Sequence, residues 1–453
     1  MNQLKVGFSE VNINPPLGIE IIGYYIPRVA KGFLDDLKVK TIIMELGDKK
    51  IALICVDTCM IGAANYSRYV EYAEKTTGIS RKNIFLSATH THTGPFIASS
   101  MGYDSNPVIE KYSEFLMERI SDSIILALAD LKSAKMGHIV GYAPERVSYI
   151  RRHKMKDGTT MTCPPVDDPN LDHPIGEIDP RVNVLRFDRE GAESIVLVNY
   201  GIHADTIGGE YISADFPAWL SSTIEKALDG TKCIFFSGAQ GDVGSTNVHP
   251  KDGDMNDTEI SFDNEMKSPG MARFVGRALA GTVLQVYDKV KYVDVDDIDI
   301  LIEDIKVPSN MPDPSQIPLA EKYNALHREG RDDEIPFEAM ELTTVIAESA
   351  RVCRLKDGPE FFSIRLTGVK IGPVALMGFG GEPFTGVGVA VKETPGWELI
   401  LPCCLTNGSM GYFPMQSAYD EGGYEARGSS FKAGVAERII HGSKAVLDKL
   451  HKA

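Results

Sequence analysis

The sequence predicts a layered α/β fold in which mixed β-sheets are flanked by helices. The 453-residue chain contains five apolar runs of strand length, and each ends in a glycine-rich turn or a polar loop. Helical patterns separate several of these runs, and a hydrophobic content of 43% suffices for a large core. Sites in layered α/β folds collect at the carboxyl ends of strands, where loops converge. We therefore expect functional residues in the turns that follow these runs.

The first half of the chain is predicted to alternate strands and helices. Residues 51–57 indicate a buried strand and residues 83–92 the next one, with a helical pattern between them. Asn106 and Pro107 begin a further helix, because asparagine is a good N-cap and proline is tolerated at the first helical position. Residues 146–179 are polar and interrupted by prolines, so we expect a long loop over the site.

The second half is predicted to add a small subdomain to the main one. We interpret residues 1–453 as a single domain with a small subdomain inserted at 290–352. The predicted elements are a helix at 270–288, a strand at 293–307, a linker at 308–315, two helical segments up to about 351, paired strands at 361–382 and a closing helix from 438.

Histidine and carboxylate side chains stand where the apolar runs end. His90 and His92 close the run at 83–92, and residues i and i+2 of a strand project to one face, so both imidazoles can approach one cation. His203 and Glu382 end two other runs. Catalytic zinc uses three protein ligands and keeps one position open, which His90, His203 and Glu382 fit. The alternative is a set of strand-end polar residues that hydrogen-bond to loops.

Several further motifs occur in a fixed order along the chain. They are Phe8 to Gly18, Thr89 to Pro95, His203 followed by the segment 212–217, Gly380 to Thr385, and the tyrosines 412, 419 and 424, with Arg151 between the first and second histidine motifs. In these motifs the chain resembles the neutral/alkaline non-lysosomal ceramidase family. Its members are zinc-dependent amidases that cleave the amide between a fatty acid and a sphingoid base. The resemblance covers nearly the whole chain.

The resemblance implies a zinc site with assigned roles. It implies metal ligation by His90, His203, Glu382 and Tyr412, and catalysis by His92, Arg151 and Tyr424. His92 would carry protons, a role that suits imidazole because its ordinary pKa is about 6.5. Arg151 and Tyr424 would hold the oxyanion that develops when an acyl carbonyl is attacked. The implied partner is a small-molecule N-acyl substrate.

The chain departs from the family where the family has its proposed nucleophilic serine. That serine follows a Gly-Asp-Val step, whereas here Gly244 follows the step and Ser245 comes one position late. We therefore expect water activated by the metal to attack, without Ser245. Asp242 in the same step either positions its loop or orients a ligand histidine. Ile150 replaces the asparagine that usually precedes the arginine. We also expect no C-terminal immunoglobulin-like domain and no signal sequence, unlike the secreted ceramidases.

Composition limits the partners. The net charge of −16 argues against nucleic acid and anionic membranes, because both require clustered cations. No apolar stretch approaches the ~18 residues that span a bilayer, so we expect no stable membrane insertion and a cytoplasmic location. The seven cysteines lack CxxC spacing and indicate neither disulfides nor a cysteine zinc site. The oligomeric state stays open, a homo-oligomer included.

We expect a zinc-dependent amidase, but other functions fit the same residues. The same site can hydrolyse another type of bond, such as an ester in a small polar substrate. A scaffold that has lost its serine can also persist as a non-catalytic binder of a metal or small molecule, although the complete metal set argues against this. An amidohydrolase barrel uses a His-x-His strand end too, but it needs this pair near its first strand and regularly alternating strands and helices.

Overall fold

The computed structural model describes residues 3–97, 104–256, 258–260 and 266–452. Its helices are α1 Ala63–Thr77, α2 Pro107–Ala129, α3 Phe216–Ala227, α4 Pro269–Val286, α5 Ile317–Arg328, α6 Ala339–Leu355, α7 Thr385–Lys392, α8 Gln416–Glu421, α9 Tyr424–Gly428 and α10 Val435–Lys452. Its strands are β1 Lys5–Asn12, β2 Gly32–Phe33, β3 Lys38–Leu46, β4 Lys49–Val56, β5 Ile84–Ala88, β6 Lys132–Tyr142, β7 Tyr149–Ile150, β8 Arg152–Met155, β9 Thr160–Thr162, β10 Leu171–Pro174, β11 Arg181–Arg189, β12 Ser194–Tyr200, β13 Tyr211–Ile212, β14 Thr231–Ser237, β15 Val243–Gly244, β16 Glu259–Ile260, β17 Met266–Lys267, β18 Lys291–Val293, β19 Ile298–Pro308, β20 Phe361–Ile371, β21 Val374–Phe379, β22 Glu382–Pro383, β23 Leu399–Cys403 and β24 Tyr412–Phe413.

Two sheets contain most of the strand residues. The larger sheet has the order β14-β12-β11-β6-β1-β3-β4-β5, with β18 also paired to β6. It is mixed, because the pairs β12–β14 and β4–β5 are parallel and the others are antiparallel. The smaller sheet has the order β19-β20-β21-β23 and is antiparallel except for β21–β23. The fold class predicted from the sequence is confirmed.

The two sheets pack face to face, and helices cover the outer face of each. Side chains alternate along β4, so that Leu53 enters the core between the sheets while Ile54 enters the core beneath α1 and α2. Helices α3 and α4 cover β11, β12 and β14 in the same layer, and α7 and α10 cover the smaller sheet. This four-layer arrangement buries strands on both faces, which explains why their sequences are continuously apolar.

Most of the predicted elements are confirmed. All five apolar runs contain strands, namely β5, β12, β14, β21 and β23. Helix α2 begins after Asn106, whose side-chain oxygen accepts the N–H groups of Val108 and Ile109. The expected helix at 270–288 is α4, and the expected paired strands are β20 and β21. The closing helix is α10. Their signals are local periodicity and capping, which need no information about distant contacts.

Three predictions about individual elements are wrong. The predicted loop at 146–179 contains strands β7 to β10, and β10, β8 and β9 form a small antiparallel sheet. Strands of two to four residues are too short to show periodicity in the sequence. Strand β5 ends at Ala88, before His90 and His92. The strand expected from residue 293 begins at Ile298, after a short acidic connection.

The division into a single domain with a subdomain at 290–352 stays a prediction. Within that range, β18 pairs with the larger sheet and β19 with the smaller one, while α5 and α6 pack on each other. Across the described part of the chain, none of the helices combines the length and apolar character that crossing a bilayer requires. All seven cysteines are free thiols.

Candidate metal centre

Three buried side chains bring donor atoms to one point between the carboxyl ends of the sheets. The Oε2 atom of Glu382 lies 3.1 Å from Nε2 of His90 and 3.3 Å from Nε2 of His203. All three residues are at most 3% exposed. Their donor atoms lie within 4.8 Å of one another, a spacing compatible with one shared metal ion. The structure thus brings together the three side chains that the sequence analysis selected as ligands.

A turn, and not a strand, presents His90. The residue follows β5 by two positions and has φ of 72°, in the left-handed region. Its backbone N–H donates to the carbonyl oxygen of Thr58 at 3.0 Å. Its ring Nδ1 lies 2.8 Å from the carbonyl oxygen of Cys59. A carbonyl can only accept, so Nδ1 carries a hydrogen and Nε2 is the ring nitrogen that a metal can bind. The strand alternation invoked from the sequence is therefore the wrong reason for its orientation.

The loop that follows β14 orients His203. The Nδ1 atom of His203 lies 2.9 Å from the carbonyl oxygen of Gln240 and 3.0 Å from that of Val243. This contact again places the hydrogen on Nδ1 and leaves Nε2 directed at Glu382. Backbone carbonyls that hold ligand histidines in this way are typical of metal sites, because they fix both the tautomer and the ring orientation.

Short strand pairing and a glycine position Glu382. Its backbone pairs with Tyr412 in the parallel β22–β24 ladder, and its N–H donates to the carbonyl oxygen of Gly411 at 2.9 Å. Gly241 packs against the other side of this segment. A Cβ atom at Gly241 would lie 2.7 Å from the carbonyl oxygen of Glu382, so only glycine fits there. The loops after β14 and β21 can therefore touch at the site.

The charges of the three donors suit a dication. Burial alone would raise the pKa of Glu382, but His90 and His203 outweigh it and hold that pKa well below its ordinary value. Burial, followed by the charge of Arg151, lowers the pKa of His203 to about 4. Burial also opposes protonation of His90, yet Glu382 and Cys59 together outweigh burial and raise its pKa well above the ordinary value. Glu382 Oε2 is buried without a hydrogen-bond partner among the described residues. A negatively charged, unsatisfied oxygen beside two imidazole nitrogens is compatible with a bound metal cation.

Tyr412 and Tyr424 lie next to these donors. The phenol oxygen of Tyr412 is 3.4 Å from His203 Nε2. The rings of Tyr412 and Tyr424 meet edge to face with centroids 5.6 Å apart. Burial raises the pKa of both phenols well above the ordinary value, so both are neutral hydrogen-bond donors at neutral pH.

Arg151 is fixed beside Tyr412 by a residue that the sequence analysis did not single out. Its Nε donates to Glu425 Oε1 at 2.8 Å, and Nη2 donates to the carbonyl oxygen of Gly241 at 2.9 Å. The guanidinium carbon lies 5.4 Å from the Tyr412 ring centre. Glu425 is completely buried and also accepts from Thr162, so it holds Arg151 rigidly. Only its place directly after Tyr424 signals this role in the sequence.

His92 stands on the other side of the donor set. Its Nε2 is 3.2 Å from Nε2 of His90, and its Nδ1 is 3.5 Å from Asp205 Oδ1 without hydrogen-bond geometry. Burial lowers the pKa of His92 well below its ordinary value, so the ring is neutral at neutral pH. A neutral imidazole that is near a carboxylate can accept a proton and then be stabilised as a cation.

Asp205 belongs to a buried network that the sequence analysis missed. Its carboxylate accepts from Lys267 Nζ at 2.6 Å and from the Tyr24 hydroxyl at 2.6 Å. Lys267 also donates to the Tyr24 oxygen at 2.8 Å. The position of Asp205 two residues after His203 was the one available signal, while Lys267 and Tyr24 are remote in sequence.

Asp242 positions its loop and is not in contact with a ligand histidine through its side chain. Its Oδ1 accepts the backbone N–H of Thr385 at 2.7 Å and the Thr385 hydroxyl at 2.8 Å. These bonds satisfy the first turn of α7, directly after Glu382 and Pro383. Of the two roles considered from the sequence, the structure favours loop positioning.

A cavity of about 440 Å³ opens onto the donor set. His90, His92, Glu382, Tyr412 and Tyr424 line it. Ser245 does not line this cavity, but it lines a cavity of about 20 Å³ together with Arg151 and His203, and also another cavity of about 440 Å³. Cys59 is near His90 as well, with Sγ 3.6 Å from Nδ1, and it forms a second potential donor group with His90 and His92.

Comparisons with known proteins agree with this architecture. No protein-family model matches the sequence, and no curated protein matches it either. Among solved structures, the neutral ceramidase from Pseudomonas aeruginosa superposes with a TM-score of 0.72 at 15% identity, covering 100% of this chain and 75% of that one. A ceramidase complexed with C2 superposes with a TM-score of 0.71 at 16% identity, covering 100% of this chain and 76% of that one. The chain therefore has the fold of the neutral ceramidase structures along its whole length.

Proposed function

We propose that this protein is a zinc-dependent hydrolase that cleaves the amide bond of a small N-acyl substrate. The observation that carries the proposal is the group of His90, His203 and Glu382, with an unsatisfied carboxylate oxygen facing two imidazole nitrogens at the wall of a cavity. The ceramidase fold supports the choice of an amide, because proteins with that fold include enzymes named for cleaving one.

The donor set favours zinc over harder metals. Two imidazole nitrogens, one carboxylate oxygen and a nearby phenol at Tyr412 offer the mixed nitrogen and oxygen ligands of catalytic zinc, while magnesium and calcium prefer oxygen alone. When bound, zinc supplies Lewis acidity that polarises an acyl carbonyl and makes water more acidic.

His92 would move the proton in this reaction. Its ring is neutral and buried, and it lines the cavity beside the ligand His90. The oxygen of a water molecule forms the new bond to the acyl carbon, and His92 takes the proton that this water loses. The carbon–nitrogen bond then breaks, and His92 returns the proton to the nitrogen of the departing amine. Asp205 would stabilise the imidazolium between these two transfers.

Arg151 and Tyr424 would stabilise the charge that develops on the carbonyl oxygen. Arg151 is a fixed cation, because Glu425 and Gly241 hold it in one orientation. Tyr424 is a neutral phenol that lines the cavity and can donate one hydrogen bond. Donors that are fixed in advance cost no reorganisation during the reaction, which is why such groups often contribute most to catalysis.

A substrate panel tests the proposal. Purified zinc-loaded protein would be incubated with short and long N-acyl amines, N-acyl amino acids, ceramides and matched esters, and released amine would be measured by mass spectrometry. We expect at least one amide to be cleaved, and His203→Ala to abolish that cleavage because it removes a ligand. Cleavage of esters alone would contradict the assignment of the bond. A protein that binds zinc but cleaves nothing in the panel would contradict the assignment as a hydrolase.

A further inference from the structure

One face of helix α6 forms a wall of the cavity that contains the donor set. Ala347, Ala350 and Arg354 line the cavity, and their spacing of three and four residues places them on the same side of the helix. The two alanines leave space, and the arginine adds a cation to a wall that is otherwise neutral along this helix. The side chain of Arg354 remains exposed at the cavity.

Arg354 lacks a carboxylate partner. It donates one hydrogen bond, from Nη2 to the Ser430 hydroxyl at 2.7 Å, and no ion pair joins it to an acidic residue within the described part of the chain. The contrast with Arg427 is informative. Arg427 donates to Glu341 at 2.6 Å and to Glu348 at 2.7 Å, so these two carboxylates of α6 are already engaged elsewhere. The planar donors of Arg354 are thus available to an anion that enters the cavity.

The rest of the cavity wall favours an anion as well. Among the described residues, Glu382 is the one acidic residue that lines it, and that carboxylate faces His90 and His203. The cavity wall therefore lacks the excess of acidic residues that gives the chain its net charge of −16. Tyr25 lines the cavity too, and burial raises its pKa; a hydrogen bond with Tyr424 and the charge of Arg354 oppose this rise, whereas the charge of Glu382 adds to it. The cation and the donor set are therefore within electrostatic reach of the same phenol.

We propose that the amide substrate carries a carboxylate, as an N-acyl amino acid does, and that Arg354 binds this carboxylate while the amide lies at the donor set. The inference rests on the proposed function for the position of the amide. It adds the chemical class of the amine, which the fold does not specify. Arg354 acts here as a specificity residue, because its fork of N–H groups matches a carboxylate in two parallel hydrogen bonds.

The size and lining of the cavity are consistent with this class. A volume of about 440 Å³ falls in the lower part of the range of about 300–1,000 Å³ that holds small ligands. Met60, Phe362 and Met410 supply the apolar part of the wall, enough for a modest acyl chain.

The test uses a pair of ligands that differ in one charge. N-octanoylglycine and N-octanoylglycinamide have nearly the same shape, but only the first carries a carboxylate. Zinc-loaded wild type, Arg354→Gln, Arg354→Lys and the control Arg328→Gln would be compared by kcat/KM for amide cleavage and by calorimetric Kd. Arg328 is an exposed arginine on the neighbouring helix α5, away from the cavity wall.

We expect wild type and Arg328→Gln to prefer the carboxylate ligand. In Arg354→Gln this preference should fall about 10- to 100-fold, the usual effect of losing a charge-assisted hydrogen bond. Arg354→Lys should keep part of it, because lysine retains the charge without the fork. Equal values for both ligands in wild type, or an unchanged preference in Arg354→Gln, would overturn the inference. The second result would indicate that the carboxylate contacts the metal instead.

One further outcome separates this inference from the proposed function, and two others test the inference itself. If no amide is cleaved but N-octanoylglycine binds in an Arg354-dependent manner, the carboxylate site stands and the hydrolase assignment fails. A third ligand, the monoamide of succinic acid with octylamine, places the carboxylate on the acyl side. If this ligand is preferred over N-octanoylglycine, the amino acid assignment is wrong. Absence of binding by every carboxylate ligand would also overturn it.

Discussion

At the scale of single residues, the candidate site depends on contacts made behind the donor atoms. The Nδ1 atoms of His90 and His203 are held by backbone carbonyls of Cys59, Gln240 and Val243. These contacts direct both Nε2 atoms at Glu382 before any metal arrives. A ligand set that is oriented in advance binds a metal more tightly, because less side-chain freedom is lost on binding.

The first prediction concerns metal content. Purified protein analysed by elemental mass spectrometry should contain about one zinc per chain. His203→Ala and Glu382→Ala should each lower the occupancy strongly, since each removes one of three protein ligands. His249→Ala is the matched control, because His249 is an exposed histidine outside the donor set. Undiminished zinc in both ligand variants would show that the metal binds elsewhere or not at all.

The second prediction separates the proton carrier from the serine. With a substrate identified by the panel, His92→Ala should lower kcat by about 10²-fold or more, the usual loss for a positioned proton carrier. Ser245→Ala should stay within about tenfold of wild type, because Ser245 does not line the cavity that opens onto the donor set. Zinc content and the unfolding transition would be measured for both variants. A folded, zinc-loaded Ser245→Ala protein without activity on any wild-type substrate would favour an acyl-enzyme instead.

At the scale of elements, a residue just outside a strand forms the last hydrogen bonds of the β3–β4 ladder. Asp57 follows β4, and its Oδ2 accepts the backbone N–H of Lys38 at the start of β3, at 2.9 Å. The backbone N–H of Asp57 donates to the carbonyl oxygen of Lys38, also at 2.9 Å. The pair ends the β3–β4 ladder next to Thr58, whose carbonyl oxygen accepts the backbone N–H of His90. The loop that begins with Thr58 is thus held in place by the hydrogen bonds of Asp57.

The third prediction is a pH dependence of stability at this point. Burial raises the pKa of Asp57 to about 7, although Lys40 and the Lys38 N–H oppose this. Since the folded pKa lies above the ordinary 3.8, the stabilising contribution of the protonated carboxyl is complete below about pH 4 and is lost as the pH rises through 7.

The matched variant is Asp57→Asn, which keeps an acceptor for the Lys38 N–H and does not titrate. We expect the free energy of unfolding of wild type, relative to Asp57→Asn, to fall by about 2 kcal/mol between pH 5 and pH 8. Urea unfolding at both pH values, with chelator present throughout, measures the difference. A constant or rising difference would mean that Asp57 is ionised in the folded protein over this range.

At the scale of the whole molecule, the donor set joins distant parts of the chain. Residues 90, 203 and 382 follow β5 and β12 of the larger sheet and β21 of the smaller sheet. An ion bound there would connect both sheets at one edge. Binding to the folded state alone shifts the unfolding equilibrium, because the unfolded chain does not present the three donors together.

The fourth prediction is that zinc stabilises the folded protein. Zinc at a hundredfold excess over its Kd should add about 2.7 kcal/mol to the free energy of unfolding. Removal of zinc with a chelator should therefore lower Tm, and re-addition should restore it. In Glu382→Gln the two Tm values should be nearly equal, since the carboxylate charge is lost. An identical Tm for wild type with and without zinc would contradict ligation by residues from both sheets.

The sequence by itself predicted the strands, the main helices and the residue types of the site. Continuous apolar runs identified β5, β12, β14, β21 and β23, because strands buried on both faces must be apolar throughout. The turns after them contained His90, His203 and Glu382, because an ionisable side chain is costly to bury inside a strand that is covered on both faces. The short strands between 146 and 179 gave no signal, because two to four residues show no periodicity.

Only the tertiary structure decided how these residues meet. His90 takes a left-handed backbone conformation in a turn after its strand. Lys267 donates to Asp205, and Arg151 donates to Glu425, so both contacts join residues that are remote in sequence. The exposure of Arg354 at the cavity wall depends in the same way on how α6 packs against α5 and α9. Local periodicity reports which face of an element is buried, whereas contacts between remote side chains follow from the packing of the layers. The distances that give the site its chemistry are therefore set by that packing.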